Sequence, residues 1–317
     1  MPTIVIPDDF PPVMGTSAAY RQLAEKAAAQ DVRYYDTLAA SEEDLIARIG
    51  DADVVINIRS FSRFTTEVFR RCPKLRLLSL WGTGTDHVDL PAARQAGVTV
   101  TNTPGVAAIS IGEHCLALML AVARQLPLSD AFTRTGEWRR LPMAQMHGKT
   151  LGIVGLGAIG RQFARLGKGI GMRVVAWTLH PNPALGFELV SLDELLRTSD
   201  VVSIHLRLSP QTTGLIGMPQ LALMKPRAIL INTARGAIVD EAALVEVLAT
   251  RRIAGAGLDV FETEPLPAGH PLTLLENVVF TPHAAGITPE AVEAGLQMAI
   301  QNVWDYFAGT PANVVAG

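Results

Sequence analysis

Lys149–Trp177 reads KTLGIVGLGAIGRQFARLGKGIGMRVVAW, and its pattern decides the fold. Leu151–Val154 is a short apolar run between Gly148 and Gly155, which predicts a buried parallel strand. Gly155-Leu156-Gly157-Ala158-Ile159-Gly160 follows as G-x-G-x-x-G. Ile159, Phe163, Leu166 and Ile170 then share one face at helical spacing, and Gly171 stops the helix. Arg173–Trp177 predicts a second strand. A glycine-rich turn alone also serves helix packing; strand, turn, helix and strand in this order give the context of a dinucleotide-binding loop. In that context Gly155 makes the tight turn, Gly157 lets a pyrophosphate approach the backbone, and Gly160 brings helix and strand together. The phosphates would meet free N–H groups at the helix N-terminus.

Outward from this stretch, 317 residues suffice for two domains with separate cores. Apolar residues make up 49% and charged residues 18%, a globular composition. A net charge of −3 and a pI near 6.2 leave no electrostatic footprint for nucleic acid or an anionic membrane, so neither is an expected partner. Cys72 and Cys115 are the two cysteines, too few for a disulfide framework. The start, MPTIVIPDDF, lacks the basic and long apolar regions of a signal peptide, and the apolar stretch Ile109–Ala123 is too short to span a bilayer. The expectation is a cytoplasmic protein.

Before the glycine loop, strands are expected at Thr3–Ile6, Arg33–Tyr35, Val54–Ile58, Leu75–Leu80 and Val98–Val100, and helices at Ala18–Ala29, Ser41–Ile49 and Thr65–Arg70. That alternation argues a parallel sheet covered on both faces. Asn102-Thr103-Pro104-Gly105 punctuates the chain. Val106–Arg124, apolar nearly all round, is expected as a buried core helix and as part of a homodimer contact. Further strands are expected at Asp200–Ile204, Ala228–Ile231, Gly255–Asp259 and Val278–Phe280, with helices at Ser191–Arg197 and Glu241–Ala249. The last helix, Pro289–Phe307, is expected to return to the first unit. The chain is thus α/β with two parallel-sheet domains: residues 1–101 and 287–317 form one, and 102–286 are inserted into it.

Three segments fall at expected strand ends, where open α/β sheets bind ligands. In Ile231–Gly236, Arg235 follows a strand and offers a planar fork to a carboxylate, or is a surface arginine. In Gly257–Leu266, Asp259 ends a strand and Glu264 precedes a proline that restricts its backbone. In Phe280–Gly286, His283 ends another strand. A histidine and a carboxylate in one cleft form an acid/base unit, the carboxylate orienting the ring and favouring its charged form. His87, His114, His147, His180 and His270 are scattered without the spacing of a metal site, so no metal is expected.

These blocks, taken in order, resemble the D-isomer-specific 2-hydroxyacid dehydrogenase family, which includes phosphoglycerate dehydrogenases and glyoxylate/hydroxypyruvate reductases. The resemblance is carried by WGTGTDHVDL, VTNTPG, LGIVGLGAIGR, SDVVSIHLRLSPQT, LMKPRAILINTARGAIVDEAAL, AGAGLDVFETEPLP and NVVFTPHAAG. It implies a Rossmann NAD(P) domain inserted into a flavodoxin-like substrate domain. It also implies hydride transfer between NAD(P) and a small 2-keto/2-hydroxy acid, with Arg235, Glu264 and His283 as the catalytic triad. By the same resemblance Ser60, Gly82, Thr83, Gly84 and Arg235 bind the substrate carboxylate. Gly155, Gly157, Ala158, Ile159, Gly160, Thr178, His205, Thr233, Ala234 and Gly286 bind the cofactor, and Asp259 binds the nicotinamide amide.

The chain departs from the family pattern in two places. Where an acidic residue commonly binds the ribose 2′-hydroxyl, Thr178-Leu179-His180 stands here, which leaves NAD and NADP both open and inclines slightly to NAD. HAAG replaces a histidine followed by two glycines. A dinucleotide-sensing regulator, or a dehydrogenase of another small anion such as formate or phosphite, would share these motifs. Asn57–Phe64 is expected to face the substrate, with Arg59 or Arg63 receiving a phosphate or pairing at the surface, and Phe61 and Phe64 lining a pocket or joining the core.

Overall fold

The structure is a computed structural model and describes residues 2–26, 31–58 and 60–317. The chain opens with β1 (Ile4–Ile6), α1 (Ala18–Lys26), β2 (Val32–Tyr34), α2 (Glu42–Ile49), β3 (Val54–Asn57), α3 (Thr66–Arg71), β4 (Leu77–Leu80), α4 (Leu90–Gln95) and β5 (Thr99–Thr101). There follow α5 (Ala108–Ala123), α6 (Leu126–Arg134), β6 (Thr150–Val154), α7 (Ala158–Gly169), β7 (Arg173–Trp177), β8 (Glu188–Leu189), α8 (Leu192–Thr198) and β9 (Val201–Ile204). Next come α9 (Met218–Leu223), β10 (Ile229–Asn232), α10 (Glu241–Ala249), β11 (Gly255–Leu258) and β12 (Val278–Phe280). The chain ends with α11 (Pro289–Phe307) and β13 (Val314–Ala316).

The chain separates into two compact units, Met1–Ala107 with Thr288–Gly317 and Ala108–Ile287. The first break therefore falls after Ala107 and not after Thr101. The Asn102–Gly105 turn stays with the first unit because Thr103 N–H donates to Gly82 O (3.0 Å) and Asn102 N–H to Asn313 O (3.1 Å).

In the first unit the sheet order is β13-β5-β4-β3-β1-β2, parallel except for the antiparallel edge strand β13. Without that edge strand the order is the flavodoxin-like 2-1-3-4-5. Its central strands IVI, VVIN and LLSL are buried throughout and mostly Val, Ile and Leu, as a sheet covered on both faces requires. α11 starts at the Thr288 cap and lays Leu296, Ala299, Ile300 and Val303 among Ile4, Ile56 and Leu77.

In the second unit the order is β12-β11-β10-β9-β6-β7-β8, all parallel. Renumbered within the unit this is 3-2-1-4-5-6-7, a Rossmann sheet with one added strand, and the order reverses between β6 and β9. α5 packs against α7 and against β10, β11 and β12, burying Gly112, Cys115, Leu118, Met119 and Ala123.

Several expected elements differ at their ends. β4 starts at Leu77, because Leu75 N–H closes a turn onto Cys72 O. α5 starts two residues after Val106, beyond a turn, and stops before Arg124, with Gln125 at φ 47° turning the chain. The expected helix Ala18–Ala29 is seen to Lys26; residues 27–29 lie outside the described residues. α4, α6, α9, β8 and β13 had no counterpart in the sequence reading.

Candidate active site

The second unit lines up its strands so that their ends form a row. Trp177 pairs with Val154, Val154 with Ile204, Ile204 with Asn232, Asn232 with Leu258, and Leu258 with Phe280. The first residue past each strand is therefore Thr178, Gly155, His205, Thr233, Asp259 and Thr281, side by side along the carboxyl edge. Backbone bonds keep the row in register: Gly155 N–H to Trp177 O (2.8 Å), His205 N–H to Val154 O (2.7 Å), Asp259 N–H to Asn232 O (3.0 Å) and Thr281 N–H to Leu258 O (3.0 Å). Parallel sheets bind ligands along this edge.

The glycine loop suits a pyrophosphate. Gly155 has φ +106°, and a Cβ there would lie 2.7 Å from His205 O, so only glycine fits. A Cβ on Gly160 would collide with Gly155 O, which is how α7 comes so close to β6. Gly157 caps α7 without a side-chain bond, and a Cβ on it would meet nothing within 4 Å. Ala158 and Ile159 form the first turn of α7, and the uncapped N-terminus faces open space where an anion can sit. These residues fit a dinucleotide. Thr178 is half-buried just past β7, while His180 is exposed. Desolvation pushes the His205 imidazole down to about 3, so the ring stays neutral; its Nε2 lies 2.9 Å from Ser203 Oγ.

After β10, buried Asn232 staples the next loop. Its Oδ1 takes the Ala234 N–H (3.0 Å) and its Nδ2 donates to Arg235 O (3.0 Å). Arg235 Nη1 donates to Ala234 O (2.8 Å). Gly236 sits so close to the backbone of Phe261 and Glu262 that no Cβ fits, which presses this loop onto the one that carries Glu264.

His283 Nδ1 lies 2.7 Å from Glu264 Oε2, and Glu264 Oε1 takes the Phe261 N–H at 3.0 Å. Burial alone would raise the Glu264 carboxyl. The hydrogen bond and charge of His283, the Phe261 N–H and the Arg235 charge outweigh burial and hold it below the usual carboxylate range. Arg235, Glu264 and His283 thus form one electrostatic group, each from a different strand-end loop. His283 is 40% exposed, so a small molecule can reach its free nitrogen.

Asp259 has other partners than the amide that the resemblance implies. It is 1% exposed; its Oδ1 accepts from Thr281 Oγ1 (2.5 Å) and Ala284 N–H (2.8 Å), and its Oδ2 from Ala285 N–H (3.0 Å). The carboxylate holds the turn that carries His283. Gly286 follows in that turn, closed by Ile287 N–H to Ala284 O (2.9 Å).

In the first unit, Ser60 is exposed in the turn after β3. Gly82, Thr83 and Gly84 follow β4 and Trp81, and the Gly82 N–H donates to Thr103 Oγ1 (2.7 Å). Phe64 is core, Phe61 is 59% exposed and Arg63 is exposed. Arg59 lies outside the described residues.

The sequence reading missed Asn232, Thr281, His114 and Cys115. Asn232 ends its strand and Thr281 is the next residue past another, so a rule of counting to each strand's last residue and one beyond would have found them. His114 and Cys115 sit on α5, and nothing local to that helix marks them. Among the described residues no group of three His, Cys, Asp or Glu side chains could hold a metal ion, and no single helix is long and apolar enough to cross a membrane.

Residues 116–285 match the family model for the D-isomer specific 2-hydroxyacid dehydrogenase, NAD binding domain. The glyoxylate reductase of Aeropyrum pernix is 42% identical over 287 residues, covering 86% of this chain and 85% of that one. The D-3-phosphoglycerate dehydrogenase of Methanocaldococcus jannaschii is 39% identical over 283 residues, covering 87% of this chain but 54% of that longer protein. Among solved structures, an acyclic imino acid reductase in complex with NADPH and D-Arg superposes with a TM-score of 0.91 at 30% identity, covering 99% of each chain. With a fingerprint loop, a Rossmann sheet and relatives matched along most of its length, this chain belongs to the D-isomer specific 2-hydroxyacid dehydrogenase family.

Proposed function

We propose that this NAD(P)-dependent oxidoreductase reduces short 2-keto acids, such as glyoxylate and hydroxypyruvate, and that His283, Glu264 and Arg235 carry the reaction. The observation that carries this reading is the 2.7 Å contact between His283 Nδ1 and Glu264 Oε2 at the carboxyl edge of the cofactor sheet. With Nδ1–H bonded to a carboxylate, the outer nitrogen Nε2 is the one free to exchange a proton with substrate. In reduction it gives that proton to the carbonyl oxygen; in oxidation it takes the proton back. The bound nicotinamide supplies or accepts the hydride.

Arg235 holds the substrate carboxylate with its planar fork and stabilises charge that develops on the carbonyl oxygen. The backbone N–H groups of Thr83 and Gly84, and Ser60, are proposed as further carboxylate donors. Thr178, uncharged where an acidic residue would repel a 2′-phosphate, admits NADPH as well as NADH. The Aeropyrum pernix relative bears the name glyoxylate reductase, which favours the smallest substrates.

The test is a panel of 2-keto acids assayed with NADH and with NADPH, with the product's chirality determined. The reading expects turnover of at least one short 2-keto acid to the D isomer, and at least a hundredfold loss in His283→Ala, as general acid–base catalysis typically contributes about 10²–10⁴-fold. Tight dinucleotide binding without turnover across the panel would instead indicate a regulator.

A further inference from the structure

Two consecutive side chains of α5 reach two separate loops of the site. Cys115 Sγ lies 3.2 Å from Thr233 Oγ1, and His114 Nε2 lies 2.9 Å from Thr281 Oγ1. Each threonine stands two residues before a side chain of the proposed triad: Thr233 before Arg235, Thr281 before His283. Neighbours on an α-helix diverge by about 100° around its axis, so one helix can address the ends of β10 and β12, which lie roughly 10 Å apart with β11 between them.

The hydrogen bonds fix the direction of each link. Thr281 Oγ1 gives its only proton to Asp259 Oδ1 at 2.5 Å, so it accepts from His114, whose Nε2 must carry the hydrogen. Asp259 in turn holds the Ala284 and Ala285 N–H groups through its carboxylate and the His283 N–H through its carbonyl (2.8 Å). This scaffold keeps His283 at φ +51°, a left-handed conformation unfavourable for a residue with a Cβ. Cys115 is fully buried, and burial pushes its thiol up to about 12 despite the Thr233 hydrogen bond, so it remains a neutral thiol and packs without reacting.

We infer that His114 and Cys115 are positioning residues, which tie the His283 turn and the Arg235 loop to a single helix and so set the proton donor against the carboxylate clamp. This rests on the 2-keto acid reading above. The two halves have different signatures: loosening His283 slows proton transfer, whereas loosening Arg235 weakens hold on the substrate carboxylate.

The test uses the full-length protein and four variants. His114→Leu should lower kcat for 2-keto acid reduction by about ten- to a hundredfold with little change in KM, since small misplacements of a catalytic group have effects of this size. His114→Gln, which retains an N–H donor, should recover most of that loss. Cys115→Ala should chiefly raise KM for the keto acid, and Cys115→Ser should restore it. Dinucleotide affinity, measured by fluorescence without substrate, should stay within about twofold in both His114 variants, because neither His114 nor the Thr281 it bonds is among the residues assigned to the cofactor. An independent reading comes from nitrogen-15 NMR of the imidazoles. The His283 Nδ1–H resonance should move or broaden in His114→Leu and return in His114→Gln. A wild-type kcat with an unmoved resonance in His114→Leu overturns the proposal, as does an equal fall in both kinetic constants in every variant. If the wild type turns over no 2-keto acid, the functional reading fails by itself, and the resonance still decides whether His114 positions His283.

Discussion

His283 Nδ1 lies 2.7 Å from Glu264 Oε2, and the carboxylate is fixed on its far side by the Phe261 N–H, so the imidazole is held by a partner that cannot easily turn away. Glu264 titrates below the usual carboxylate range, with burial opposing that shift and His283, the Phe261 N–H and Arg235 producing it. The Glu264 carboxylate therefore keeps its negative charge as pH falls past the point where an ordinary glutamate is neutralised.

Keto-acid reduction consumes a proton held on the His283 ring, and oxidation returns one to it. The rate of reduction should fall as pH rises, and the rate of oxidation should fall as pH drops. Glu264→Gln keeps the shape and removes the charge that faces the His283 ring, so reduction at neutral pH should slow, with dinucleotide affinity nearly constant. The measurement is kcat/KM against pH in both directions; superimposed profiles would remove Glu264 from the role given to it.

The two glycines of the cofactor loop should respond differently to alanine. Gly160→Ala forces a methyl group against Gly155 O and to 3.1 Å from Ile153 Cγ2, where backbone cannot yield, and should destabilise the fold by about 1–3 kcal/mol. Gly157→Ala meets nothing within 4 Å, so stability should change by no more than about 1 kcal/mol, the size of an altered N-cap. On the proposal that a pyrophosphate sits against this glycine, NAD(P) affinity should weaken about tenfold or more, as for one lost charged hydrogen bond. Unfolding midpoints and fluorescence titrations of both variants separate the two effects.

Thr178 is the first residue past β7, in the row along the carboxyl edge. Thr178→Asp should weaken NADPH about tenfold by placing like charges together, and leave NADH equal or better. The ratio of kcat/KM values for the two cofactors reads this directly; an unaltered ratio would mean that Thr178 does not face the ribose.

Asp8, fully buried after β1, is pushed up from 3.8 to about 6. Burial is the main cause, opposed by hydrogen bonds from Ser62 and Asn57 and by the Arg48 charge, and reinforced by Asp9. Its folded pKa exceeds its unfolded value, so the folded state binds the proton more tightly. The stabilisation is complete below about pH 3.8 and is lost as pH rises through about 6. The shift corresponds to about 3 kcal/mol. Asp8→Asn, which can still accept from Asn57 Nδ2, should therefore unfold later than wild type at pH 7.5 and no later at pH 4. Denaturant midpoints at the two pH values check it.

Much of the second unit was legible because its signals are local. Leu151–Trp177 carries strand, turn and helix in consecutive residues, and α10 and β12 are marked by their own apolar runs. Arg235, Glu264 and His283 were visible as residues at strand ends. What the sequence withheld was pairing across the sheet. Asp259 stood out as a strand-end carboxylate, but its bonds to Thr281, Ala284 and Ala285 could not be read from that position. Gly82 looked like a free donor until Thr103, distant in sequence, was found bonded to it. Short elements such as β13 and α6 escaped for a different reason: the first is defined by its antiparallel pairing with distant β5, and the second, Leu126–Arg134, has no side-chain cap at Gln125 to announce it.

The first unit is assembled from the two ends of the chain, and this dictates when it can fold. Its core needs Leu296, Ala299, Ile300 and Val303 of α11 beneath β1, β3 and β4, and the open side of β5 is covered only by β13. During synthesis the second unit is complete in one continuous stretch, while β1 to β5 wait with apolar surface and an unpaired strand edge. The sheet of the first unit is thus completed only after the second unit has been made, so slowing translation before α11 should prolong the exposure of its apolar face and increase aggregation of the stalled chains.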